Sequence, residues 1–183
     1  TGDYTISGGA DSSGNPLAAF DGQLRPGVEL ITNGGFEGPL CSLAGWSSSA
    51  TGSASLPAPV SGMAGTGNCS ALVGNGTALP EVGSSSLWQN VLVPAAYSTV
   101  GLSVGYRPFS DSPLPEDPKT CLVQTTGGAT LVAVFTSTAD ASVYTTATAD
   151  LTPYRGSTVR ILCRSTQNGT HVSGMYVDDV SIR

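Results

Sequence analysis

Charge is scarce in this chain of 183 residues: charged side chains make up 11% of it, with one lysine, Lys119, and one histidine, His171. The seven Lys and Arg residues are outnumbered by thirteen Asp and Glu, for a net charge of −6. That balance argues against nucleic acid as a partner, because such binding rests on cations neutralising phosphate. Histidine-based chemistry has little to work with. A Ser-His-Asp triad would have to use His171, which sits in Gln167-Asn-Gly-Thr-His171, a segment that reads as a hairpin turn. Carboxylate pairs for glycoside hydrolysis need a cleft, and Asp111, Glu116 and Asp117 fall in a Pro-rich loop. No phosphate-cradling glycine loop is present, so an enzyme is not expected. The longest apolar run, Ala129 to Phe135, is far too short to span a bilayer. No window carries a 3.6-residue hydrophobic period, which leaves helices without support.

What is present points to β-structure. The 24 glycines and 12 prolines, with abundant Ser and Thr, favour short strands and frequent turns. An apolar content of 39% suffices for a core, and the length suits one domain rather than two. Strands are expected near 28–32, 35–37, 69–73, 85–93, 98–106, 120–125, 129–136, 141–149, 157–164 and 174–183. Residues 47–66 and 108–119 read as long loops. This pattern predicts an all-β, two-sheet antiparallel sandwich over residues 28–183. Residues 1–27 are turn-rich and read as an extended N-terminal arm. Within it, Tyr4, Ile6, Leu17 and Phe20 are the apolar contact candidates.

The four cysteines, Cys41, Cys69, Cys121 and Cys163, contain no Cys-x-x-Cys pair, and with one His a zinc site is not supported. Two disulfides are expected. Three connectivities are possible, and Cys41–Cys69 with Cys121–Cys163 is preferred, the first closing an early loop and the second lying on later strands. Disulfides imply an oxidising compartment, and a start at Thr1 without Met is what a processed secreted chain would show. The expected location is therefore extracellular or at the cell surface.

Two short signatures frame the domain: Glu29-Leu-Ile-Thr-Asn-Gly-Gly-Phe-Glu37 followed by Gly45-Trp46, and Tyr176-Val-Asp-Asp-Val-Ser-Ile182. Between them lie Ser84-Ser-Ser-Leu-Trp-Gln-Asn-Val-Leu-Val-Pro94, the Tyr97 to Arg107 strand, and Asp150-Leu-Thr-Pro-Tyr-Arg-Gly-Ser-Thr-Val-Arg160. In this order and spacing the segments resemble the calcium-bearing jelly-roll domains. Those include the carbohydrate-binding modules of secreted glycosidases and related domains of microbial surface proteins. The resemblance covers residues 28–183 and implies a jelly roll. It also implies one structural Ca2+ held by Glu37, Asp178 and Asp179, which calcium's need for six to eight oxygens would complete with backbone carbonyls.

Sugar binding is what the resemblance suggests first, and it needs exposed aromatic rings beside polar groups. The motifs assign Phe36, Trp46, Trp88, Tyr97, Tyr106, Tyr154 and Tyr176 to the family core, and Phe135 lies in an apolar strand. Tyr144 and Phe109 remain, with Tyr4 and Phe20 in the arm. The reading that follows is a non-catalytic structural subunit. It would polymerise with copies of itself by donating the arm to a neighbour's sheet edge. A carbohydrate-binding module or lectin-like adhesin with a polysaccharide partner is the alternative. Three Asn-x-Ser/Thr triplets, at Asn68, Asn75 and Asn168, matter only in a glycosylating host.

Overall fold

The computed structural model describes residues 28–183 apart from Pro39, Thr77, Ala78 and Pro113. The expectations placed on residues 1–27, including Tyr4, Ile6, Leu17 and Phe20, lie outside the described residues. The described chain is all-β, with ten strands and a single 3-10 turn at Thr152–Tyr154. The strands are β1 (Ser47–Ala50), β2 (Ala58–Ser61), β3 (Cys69–Gly74), β4 (Val82–Leu92), β5 (Gly101–Ser110), β6 (Lys119–Thr125), β7 (Thr130–Ser137), β8 (Thr145–Asp150), β9 (Thr158–Asn168) and β10 (Ser173–Ile182). They form two five-stranded sheets, ordered β1-β4-β9-β6-β7 and β2-β3-β10-β5-β8, with every pairing antiparallel. No helix among the described residues is long and apolar enough to cross a membrane.

Alternation with a period of two builds the core. Leu87 and Val91 of β4, Val159, Ile161 and Cys163 of β9, and Cys121 and Val123 of β6 point inward from one sheet. They meet Ala71 and Val73 of β3, Leu102 and Val104 of β5, and Met175, Val177 and Ile182 of β10, all buried. Each such side chain contributes roughly 1.5–3 kcal/mol on leaving water. The Tyr106 and Phe135 rings stack at 3.7 Å between the sheets. Disulfides join Cys41 to Cys69 and Cys121 to Cys163. The second pair bridges β6 and β9 at directly opposed positions.

The structure corrects the expectations at the start of the domain. Residues 28–37, expected as two strands, form bends and a turn. Asn33 and Phe36 hold left-handed backbone, with φ of 53° and 56°, which interrupts extended chain. Side chains hold the segment instead. Gln89 accepts from the Thr32 amide at 2.8 Å and donates to the carbonyls of Thr32 (2.9 Å) and Gly45 (3.1 Å). A Cβ on Gly34 would lie 1.8 Å from the Val180 carbonyl oxygen, so only glycine lets this turn approach β10. Conversely, β1 and β2 emerge from the span expected as loop. Each is a four-residue edge strand, and their sequences, Ser-Ser-Ser-Ala and Ala-Pro-Val-Ser, show no hydrophobic alternation. Strand β5 continues to Ser110, further than expected.

Candidate functional site

Directly paired residues of an antiparallel sheet share a face, so the register of the first sheet defines its outer surface. One row runs Ser47, Trp88, Leu162, Leu122, Ala133 across β1, β4, β9, β6 and β7. On one side lies the row Asn90, Arg160, Gln124, Thr130, and on the other the row Ser86, Arg164, Thr120, Thr136. An apolar strip with Trp88 at one end is thus flanked by two polar rows. Arg160 holds its guanidinium carbon 5.5 Å from the centre of the Trp88 ring and donates from Nε to Asn90 Oδ1 at 3.2 Å. Arg164 donates from Nε to Ser86 Oγ at 2.9 Å. Trp88, Leu122 and Arg160 are half-buried and Arg164 and Asn90 are exposed, whereas Leu162, Gln124 and Ser86 are buried.

The second sheet also carries aromatics outward, but they are engaged. Tyr176 pairs with Arg107 in register. The Arg107 guanidinium lies 4.7 Å from the Tyr176 ring centre and 5.8 Å from that of Tyr144, and its Nη2 meets the Met63 sulfur at 3.0 Å. Phe109 packs against Tyr176 at 5.2 Å between centroids. Tyr144 donates to the Met63 carbonyl at 2.6 Å. Burial above all, with the charges of Asp178 and Asp179 adding, pushes its phenol up to about 12 against the opposing effect of Arg107. The β2–β3 connection therefore folds over this face and ties down its rings.

The same connection contacts each of the three expected metal ligands. Asp178 Oδ2 accepts from the Gly65 and Thr66 amides at 2.7 and 3.2 Å, and its Oδ1 accepts from the Asp179 amide at 2.8 Å. Glu37 Oε1 accepts from the Asn68 and Cys69 amides at 2.7 and 2.9 Å. Asp179 Oδ1 accepts from the Thr66 hydroxyl. Burial, with the Asp179 charge added, raises the Asp178 carboxyl to about 6 despite its three amide donors. Among the described residues the only ion pairs are His171–Asp111 and Arg183–Glu29, so no cationic side chain pairs with these carboxylates. A Cβ on Gly35 would lie 3.7 Å from Glu37 Cγ and 3.9 Å from Asp178 Oδ1, so that glycine separates the two. The contacts of Glu37 and Asp178 are with backbone N–H donors. No three His, Cys, Asp or Glu side chains among the described residues gather tightly enough to hold a metal ion alone. An open cleft of about 410 Å³ beside Glu37 is lined by Leu40, Pro59, Asn68 and the Cys41–Cys69 pair, without an aromatic.

The chain is similar to known proteins in fold. No family model matches it, and no curated protein does. Solved structures do. TmCBM61 in complex with β-1,4-galactotriose matches with a TM-score of 0.61 at 15% identity, over 85% of this chain and 98% of that one. By fold, this chain resembles the carbohydrate-binding modules. The CBM22-1 xylan-binding domain of Paenibacillus barcinonensis Xyn10C matches with a TM-score of 0.50 at 16% identity, over 85% and 94%. The cleaved adhesin domain of Lys-gingipain from Porphyromonas gingivalis matches with 0.53 at 15%, over 76% and 90%. At such identities the likeness is one of β-sandwich architecture.

Against a carbohydrate-binding-module fold, the aromatic assignments made from motifs divide. Phe36, Tyr97 and Tyr106 do serve the interior, and Trp46 packs on Phe36 at 5.3 Å. Trp88 and Tyr176 do not: each stands on an outer face. The signal was available in β4, where Ser85, Leu87 and Val91 alternate inward and so place Trp88 outward. His171 lies on the β9–β10 turn with Nδ1 3.1 Å from Asp111 Oδ1. Asn75 is buried, whereas Asn68 and Asn168 are exposed.

Proposed function

We propose that this protein is a non-catalytic, glycan-binding β-sandwich domain that receives an oligosaccharide on the outer face of the β1-β4-β9-β6-β7 sheet. The observation that carries the reading is Trp88, half-buried on that face with Leu122 along its row, and Asn90, Arg160 and Arg164 in the rows on either side; Leu162 and Gln124 of the same rows are buried. An aromatic platform with hydrogen-bonding side chains on both sides is the chemistry a sugar ring requires: apolar stacking from one face, polar contacts at its edge. The opposite sheet is disfavoured because Met63 and the β2–β3 connection occupy its rings. The galactotriose and xylan named for the structural neighbours support a glycan as the ligand class. The disulfides support an exported or surface location. A calcium ion at Glu37, Asp178 and Asp179 belongs to this proposal as a structural component. When bound, it would neutralise carboxylates that have no cationic partner.

The polymerising-subunit reading depends on residues 1–27, outside the described residues, and neither the fold nor its neighbours favours it. Glycan binding replaces it as the leading reading. The test is a screen of immobilised plant and microbial polysaccharides with the intact chain and with Trp88→Ala. Retention by at least one polysaccharide is expected, with the variant's affinity reduced at least about 10-fold, since losing a buried stacking aromatic costs about 1–3 kcal/mol. Far-UV circular dichroism should not change. Equal retention of the variant would remove this face from consideration.

A further inference from the structure

The distribution of charge narrows the ligand class, and the argument rests on the glycan-binding reading just given. The chain has thirteen Asp and Glu and a net charge of −6. Yet none of the five strands of the Trp88 sheet contains an Asp or Glu. Those strands hold three of the seven Lys and Arg residues. Lys119 is wholly buried. The other two, Arg160 and Arg164, stand on the outer face in the rows on either side of the apolar strip. In an acidic protein, the charged side chains that these strands place on the outer face are both cationic.

How the two arginines are held matters as much as their sign. Each gives its Nε to a neutral side chain of β4, Arg160 to Asn90 and Arg164 to Ser86. Neither forms an ion pair or an Nη hydrogen bond among the described residues. Anchoring through Nε fixes each side chain while leaving its terminal pair of N–H groups unspent, and a guanidinium matches a carboxylate with two parallel hydrogen bonds. Four residues apart on one strand, the two are about 13 Å from each other at the backbone. That separation lets them meet different sugar residues of one extended chain, with Trp88 between them.

We infer that the ligand is an acidic polysaccharide carrying carboxylates, a uronic-acid-containing glycan, whose carboxylates are received by Arg160 and Arg164 while Trp88 stacks on a sugar ring. Isothermal titration of the intact protein at fixed calcium tests this with three probes of equal length: an oligogalacturonate, the neutral oligogalactoside, and a sulfated oligogalactoside. The oligogalacturonate is expected to bind at least 10-fold tighter than the neutral ligand. Its affinity should fall as salt rises, by the screening of exposed charges. Arg164→Gln, at an exposed position that leaves folding intact, should collapse the preference. Arg164→Lys should retain the salt dependence but lose affinity, because an ammonium cannot supply the fork. Neutral binding as tight as acidic binding would overturn the inference and leave the glycan reading standing. Preference for the sulfated probe would overturn the assignment to carboxylate. No binding of any of the three, together with an empty polysaccharide screen, would overturn both.

Discussion

The carboxylate of Glu29 joins the start of the described chain to its end. Its Oε1 accepts from the amides of Ile31 and Ile182, each at 2.8 Å, and its Oε2 accepts from the Ser181 hydroxyl at 2.5 Å and from Arg183 Nε at 3.2 Å. Burial raises the Glu29 carboxyl, but those four donors together outweigh it and hold the group below its ordinary 4.5. The unfolded chain therefore takes up this proton at a higher pH than the folded one. The stabilisation is complete above 4.5 and is lost as pH falls through the lower folded value. Glu29→Gln should cost about 1–2 kcal/mol at neutral pH, a loss of several degrees in melting temperature for a domain of this size. The gap to the parent should narrow in melts near pH 3. A gap that is constant with pH would mean that the carboxylate's charge contributes nothing at this seam.

At the scale of elements, the β2–β3 connection is the clearest case of one segment serving several strands. Its amides at Gly65, Thr66 and Asn68, with that of Cys69 at the start of β3, reach Asp178 on β10 and Glu37 on the opening turn. Glycine is required there: Gly67 has φ +68°, and a Cβ on it would lie 2.2 Å from Glu37 Oε1. A cation beside Glu37 and Asp178 would relieve the repulsion that helps raise Asp178. Millimolar calcium should thus raise the melting temperature by several degrees, and chelator should lower it, since a ligand that binds only the folded state stabilises by mass action. Melts that coincide under both conditions would remove the metal from the proposal. The sequence made β3 to β10 legible through apolar runs and period-two alternation between turn residues, and the Glu37 motif was visible after its Gly-Gly turn and Asp178-Asp179 as charges in an apolar strand. It hid β1 and β2, edge strands too short and polar to alternate. The motif assignment put Trp88 in the core, although the inward alternation of Ser85, Leu87 and Val91 in β4 already places it outward. Glu29 was equally silent, since its four donors come mostly from residues more than 150 positions away.

At the scale of the whole molecule, the sandwich separates support from recognition. The β2-β3-β10-β5-β8 sheet carries Asp150, Asp178 and Asp179 and lies under its own connection, whereas the other sheet is free of acids and presents Trp88 with two arginines. The Cys121–Cys163 bond crosses the β6–β9 pair directly beneath that face, between the Thr120–Arg164 and Leu122–Leu162 positions. Closing a loop of 42 residues contributes roughly 3–4 kcal/mol in the chain-entropy model. Platform, flanking rows and disulfide all lie within residues 28–183, so the binding function should as well. A chain truncated to 28–183 should bind the glycan within about 2-fold of the intact chain, because it keeps every residue assigned to the site. Both forms should sediment as the same species per mass of polypeptide. If the intact chain instead forms polymers that vanish on truncation, and neither form retains a glycan, the arm and not the sheet carries the function. Sedimentation velocity on the two forms, run beside the polysaccharide screen, decides between these outcomes. The glycan reading requires that the 27 leading residues be dispensable to the Trp88 face.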